Sequence, residues 1–161
     1  MNKTVKLSQI SEVMTEVLDS GGEVTFITKG RSMLPLLADG RDKVFLSKPK
    51  STLKKNDVVF YQRNDGQYVL HRIIRINDDE LVMRGDNQRV NEYGISLKNV
   101  IAIATAFERK GKYIHCSDFR YKSYCFFLPV TRFFRKIYAA LIKSLKKINQ
   151  KRKRLFNKKV K

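Results

Sequence analysis

The sequence predicts a mainly β protein: a coiled antiparallel sheet or partial barrel, with one helix before it and a basic amphipathic helix after it. Three observations carry this. Seven or so short apolar or alternating runs recur at close spacing between residues 23 and 116, punctuated by Gly, Asn and Asp. Helical periodicity is confined to the two ends, over 4–20 and 131–149. Charge divides the chain in the same way. The last acidic residue is Asp118, and positions 120–161 hold 15 of the 34 Lys and Arg; the other 19 face all 15 acids in the preceding residues. A chain of 161 residues can bury one real core. The expected organisation is therefore a near-neutral body over 1–118, with its β core at 23–116, and a strongly cationic tail over 119–161.

Each element has its own signature. Val13, Met14, Val17 and Leu18 recur at three- and four-residue steps, giving an amphipathic helix that Gly21-Gly22 ends. Glu23–Thr28 alternates as a strand and runs into the turn Gly30–Pro35. Lys43–Ser47 and Asp57–Gln62 are short apolar strands, and Gln67–Ile76 is a longer one entered through Asn64-Asp65-Gly66. Asp78-Asp79 separates it from Glu80–Arg84. The β-branched and alanine-rich run Val100–Phe107 pairs with Lys112–Cys116 across Lys110-Gly111. An aromatic stretch, Tyr121–Val130, is expected to end near Pro129. The helix 131–149 then carries Phe134, Ile137, Tyr138, Leu141, Leu145 and Ile148 on one stripe, with basic residues around the rest of its surface. Lys151–Lys161 is almost wholly basic and is expected to be disordered unless bound.

Composition narrows the chemistry. Cys116 and Cys125 match neither a metal-ligand spacing nor a disulfide framework, so two free thiols in a reducing cytosol are expected. No metal site or organic cofactor is indicated. The polar N-terminus does not read as a signal peptide, and no run of about 18 apolar residues reads as a transmembrane helix.

Four segments hold the candidate chemistry: Gly30-Arg31-Ser32-Met33-Leu34-Pro35, Asn56-Asp57-Val58-Val59-Phe60, Val69-Leu70-His71-Arg72-Ile73-Ile74 and Arg84-Gly85-Asp86-Asn87. They supply a serine, a histidine and an aspartate in strand and turn contexts. A serine made nucleophilic by an imidazole, with a carboxylate behind it, is a hydrolase constellation. Each residue alone has a plainer reading. Ser32 could be an ordinary turn serine, His71 a packed strand histidine and Asp86 a turn residue. His115 is a weaker rival to His71, lying near the tail outside any such segment.

In combination and in this order, the segments resemble the signal peptidase superfamily, which includes the self-cleaving repressors of the bacterial SOS response. The resemblance spans about Glu23 to Ala106. It implies a peptidase with Ser32 as nucleophile and His71 as general base, as in the endoplasmic-reticulum and sporulation-type enzymes, where the bacterial housekeeping enzymes have lysine. It implies that Asp86 orients or balances the imidazolium. A second acid is implied beyond the Gly-Asp-Asn motif, and Glu92 stands there in place of the usual aspartate. Gly30 replaces a hydroxyl residue that some relatives carry, so the oxyanion is left to the Ser32 N–H and a neighbouring donor. The implied substrate is a leader, signal or pro-peptide bound as an extended strand, with small residues before the scissile bond.

Most signal peptidases have a hydrophobic anchor shortly before the serine, and residues 1–22 here are polar. The tail offers another tether. Phe134, Tyr138, Leu141 and Leu145, with Arg135, Lys143 and Lys147, suit the surface of an anionic membrane, which places the protein as peripheral, on the cytoplasmic face. The alternative function is a repressor-like or nucleic-acid-binding module with a vestigial peptidase fold, although residues 1–22 are too short for a helix-turn-helix domain. A third possibility is an inactive membrane-surface scaffold.

Overall fold

The computed structural model describes residues 7–159; within them the side chains of 7–12, 135–136, 139–140, 143, 145–149 and 151–159 lie outside the described set. The elements run α1 (Leu7–Asp19), β1 (Glu23–Ile27), β2 (Lys43–Ser47), β3 (Val58–Gln62), β4 (Tyr68–Asn77), β5 (Glu80–Arg84) and β6 (Glu92–Ser96). A short turn of 3-10 helix at Leu97–Asn99 follows, then β7 (Val100–Arg109), β8 (Lys112–His115) and α2 (Phe119–Lys159). The chain divides into two compact units: Met1–Lys122, which holds the sheet, and Ser123–Lys161, which is helical.

All eight strands form one antiparallel sheet in the order β1-β2-β7-β3-β4-β5-β6, with β8 also on β7. β1 and β6 end the sheet without joining, so it is open. Register shifts fall between Phe45 and Leu46, Phe60 and Tyr61, Ile73 and Arg75, and Leu81 and Met83. Each extra residue sharpens the local right-handed twist, and this is how strands of four to ten residues wrap around a core. That core is Val59, Tyr61, Ile73, Leu81, Met83 and Ile95. α1 lies beside β1 with Met14 and Leu18 buried, and it ends as the sequence predicts. Gly21 adopts φ +82°, and the Gly22 N–H donates to the Val17 carbonyl at 2.8 Å.

Two elements differ from the expectation. β6 has no counterpart in the sequence reading. Gly94, at φ +70°, interrupts its alternation, and the bulge at Tyr93-Gly94, two residues facing Val82 alone, breaks the period-two pattern by which a strand is recognised. The tail helix does not stop near Pro129, and it runs on to Lys159 through the segment expected to be disordered. Proline withholds one N–H and crowds the carbonyl four residues back, at a cost of about 3 kcal/mol. In a helix of 41 residues the ladders on either side outlast that single gap. The Thr131 hydroxyl also donates to the Leu128 carbonyl at 2.9 Å, beside it. Among the described residues no helix is long and apolar enough to cross a membrane.

Candidate active site

Ser32 stands on the turn that follows β1. Gly30 takes φ +92°, a conformation that favours glycine, and its N–H donates to Asp39 Oδ1 at 2.9 Å. That N–H is therefore spent within the turn. Met33, Leu36 and Leu37 are buried beneath and anchor the turn by apolar contact, leaving Ser32 half-buried at the rim. The Leu34–Pro35 peptide is cis.

His71 and Arg72 are neighbours on β4, so they project to opposite faces, and both are almost wholly excluded from solvent, at 1% and 0% exposure. On the histidine's side, Nδ1 lies 3.0 Å from Glu92 Oε1 and 3.3 Å from the Tyr61 hydroxyl. Glu92 is itself held from two directions. The Tyr61 hydroxyl donates to Oε2 at 2.7 Å, while Arg63 places Nε 2.8 Å from Oε2 and Nη2 2.5 Å from Oε1. Tyr61, near the end of β3, and Arg63, just past it, reach the same carboxylate because they are two residues apart. A carboxylate at Nδ1 assigns the proton to that nitrogen and leaves Nε2 free to accept one.

The electrostatics agree with that assignment. Burial pushes the His71 pKa below the usual imidazole value, outweighing the upward pull of Glu92. Burial alone would raise the Glu92 carboxyl, but hydrogen bonds from Arg63 and Tyr61, with the charges around it, hold it below the usual range. At neutral pH the pair is a neutral imidazole facing an ionised carboxylate.

The three residues of Gly85-Asp86-Asn87 do three different things. A Cβ on Gly85 would lie 2.6 Å from the Ser32 carbonyl oxygen, 3.0 Å from Ser32 Cβ and 3.1 Å from His71 Nε2. The serine and the base nitrogen thus close on the same point, and only a glycine leaves it open. Asn87 fixes the serine turn: its N–H donates to the Ser32 carbonyl at 2.7 Å, and its Nδ2 donates to the Arg31 carbonyl at 3.1 Å. Asp86 takes both arms of the Arg72 fork, at 2.8 and 2.7 Å, with neither residue exposed. Arg72 Nη1 also donates to the Asn56 carbonyl at 2.7 Å and to the Tyr121 hydroxyl at 2.9 Å.

Ser32 Cβ and His71 Nε2 thus border one opening at Gly85, the pair of residues the sequence reading singles out. Of the two roles offered to Asp86, orientation of the ring falls to Glu92. Asp86 reaches His71 through its charge, which favours the imidazolium. Gly30 borders the site, but its N–H faces Asp39. His115 lies elsewhere, exposed and bonded to Ser117. In the tail Phe134, Tyr138 and Leu141 are exposed, and the side chains of Arg135, Lys143, Leu145 and Lys147 fall outside the described residues. Sequence reasoning missed Tyr61 and Arg63. Their only signal is that they are two residues apart, and nothing in the sequence ties that spacing to Glu92.

A cavity of about 120 Å³ opens beside Ser32, between Thr28–Gly30 and Tyr68–Leu70. A larger cleft of about 710 Å³, lined by Arg63, Arg89, Glu92 and Tyr93 among others, lies behind Glu92 and includes neither Ser32 nor His71. Of these two cavities only the smaller is lined by Ser32. No protein-family model matches the chain, and no curated protein matches it in sequence.

Three outcomes follow from this geometry. Gly85→Ala must displace the Ser32 backbone, and a misplacement of this kind lowers reactivity at Ser32 about 100-fold, read by the rate of covalent labelling. Asp86→Ala removes both carboxylate bonds from the buried Arg72 guanidinium, costing about 3–5 kcal/mol of stability in urea unfolding. The third concerns the titration of His71, resolved by NMR from the second histidine. The lowered folded pKa means that the unfolded chain binds the extra proton, so stability from this group is present above about pH 6.5 and is lost below it. Arg63→Gln removes a cation that depresses His71 and raises its pKa, whereas Glu92→Gln removes the anion and lowers it further. Shifts of the same sign in both variants would refute the arrangement.

Proposed function

We propose that the protein is a serine endopeptidase of the signal-peptidase type, working through Ser32, His71 and Glu92. The observation that carries this reading is the convergence of Ser32 Cβ and His71 Nε2 on the open face of Gly85, with Glu92 at the far nitrogen. The order of the four motifs along an open, coiled β sheet supports the same reading.

The chemistry runs in two halves. His71 Nε2 accepts the hydroxyl proton as Ser32 Oγ attacks the scissile carbonyl, and Glu92 stabilises the imidazolium through Nδ1–H. The oxyanion faces the Ser32 N–H. Collapse breaks the C–N bond, and the leaving amine takes the proton from Nε2, leaving an ester on Ser32. Water then gives a proton to the same Nε2 and attacks the ester. The acid product departs as Ser32 recovers its proton.

The substrate is an extended segment of a leader, signal or pro-peptide. The β5 ladder begins at Arg72, so Tyr68–His71 of β4 are paired on the β3 side alone. That free stretch borders the Ser32 cavity across from Thr28–Gly30. A peptide strand laid there would bond its backbone to the chain and carry its carbonyl to Ser32. A cavity of about 120 Å³ favours small side chains next to the scissile bond.

Labelling with a peptide phosphonate or fluorophosphonate, read by intact mass, tests the proposal. One adduct on the wild-type chain, absent from Ser32→Ala and His71→Ala, is the expected result. An adduct retained in Ser32→Ala, or none on the wild type with either reagent, would overturn it.

A further inference from the structure

The tail helix presents a surface that the peptidase chemistry does not use. Because α2 continues through Pro129, the aromatic segment before the proline and the amphipathic segment after it become one face. Phe126, Val130, Phe133, Ile137 and Leu141 follow one another at three- and four-residue steps, and Phe127, Phe134 and Tyr138 flank them on the same side. All eight are exposed, Phe126 at 76%, Phe134 at 62% and Tyr138 at 67%. The apolar stripe thus begins two turns earlier than the sequence alone suggested. The same helix contains no acidic residue, while 15 Lys and Arg lie between positions 120 and 161.

We propose that α2 lies in the plane of an anionic lipid bilayer surface, its Phe126–Leu141 face among the acyl chains and its basic residues at the headgroups. Charge complementarity selects this occupant. A second copy would set one cationic helix against another with no acid between them. Nucleic acid would neutralise the lysines and arginines but leaves a continuous aromatic face in water. A bilayer interface takes both, since aromatic and aliphatic side chains enter the acyl boundary while basic residues meet anionic headgroups. Among the described residues no helix is long and apolar enough to cross a membrane, so the proposed placement is in the plane of the surface.

The full chain has no tryptophan, so Phe133→Trp provides a single reporter. It is mixed with vesicles of phosphatidylcholine alone, or with one quarter phosphatidylglycerol, at low and high salt, and binding is followed by co-sedimentation. Binding to the anionic vesicles, weakened by salt, with a blue-shifted emission is the expected result. Phe126→Ser with Phe127→Ser and Phe134→Ser should abolish the association while circular dichroism keeps the helix. Each basic residue removed near the surface should weaken it about fivefold. No binding to anionic vesicles would overturn the proposal. So would binding that ignores the aromatic substitutions, or a reporter that stays water-exposed while the chain shifts duplex DNA at physiological salt. No substrate is involved, so failure here leaves the peptidase reading standing, and failure of that reading leaves this one.

Discussion

The pairing of Arg72 with Asp86 is the constraint on which the rest of the site depends. Two charges removed from water are costly unless each is fully satisfied, and here the geometry is complete: a two-pronged ion pair, a backbone carbonyl and a tyrosine hydroxyl around one guanidinium. Breaking any part would strand a charge in the interior. The pair therefore fixes the distance between β4 and the loop after β5. His71 on the strand, and Gly85 and Asn87 on the loop, each lie one residue away from it. A buried ion pair of this kind contributes little net stability against an apolar substitute. What it contributes is position.

Under the proposed chemistry, position matters because its groups are divided between two faces of the same strand. His71 turns toward Ser32 while its neighbour turns toward Asp86, so the strand's own alternation separates the acid that locks the frame from the acid that serves the ring. Glu92 can then be specialised for one task. Arg63 and Tyr61 occupy its remaining lone pairs, which keeps the carboxylate ionised and aimed at Nδ1 even in a half-buried setting. Burial lowers the proton affinity of the imidazole, and the carboxylate limits that loss, so the ring is neutral at neutral pH.

Much of this was legible in the sequence where local rules apply. β2 and β5 fall at the expected residues, and α1 and β1 end where their glycines and alternation direct. Ser32 and His71 could be chosen from motif order. What escaped depends on register. Tyr61, Arg63 and Glu92 meet only because β3, β4 and β6 are held in one twisted sheet, and β6 hides its strand character behind Gly94 and a bulge. The division of labour between Asp86 and Glu92 was similarly out of reach, since it depends on which face Arg72 takes. Pro129 misled in the opposite direction, being a local signal for a break that a long helix absorbs.

The narrowness at Gly85 also sets an order of events. Ser32 Cβ and His71 Nε2 close on one methyl-sized opening, and the ring is almost wholly excluded from solvent. Under the proposed chemistry, the space that the departing segment vacates is a route by which the hydrolytic water would enter. The site would then work as a turnstile, in which release of the first product admits the reactant of the second half.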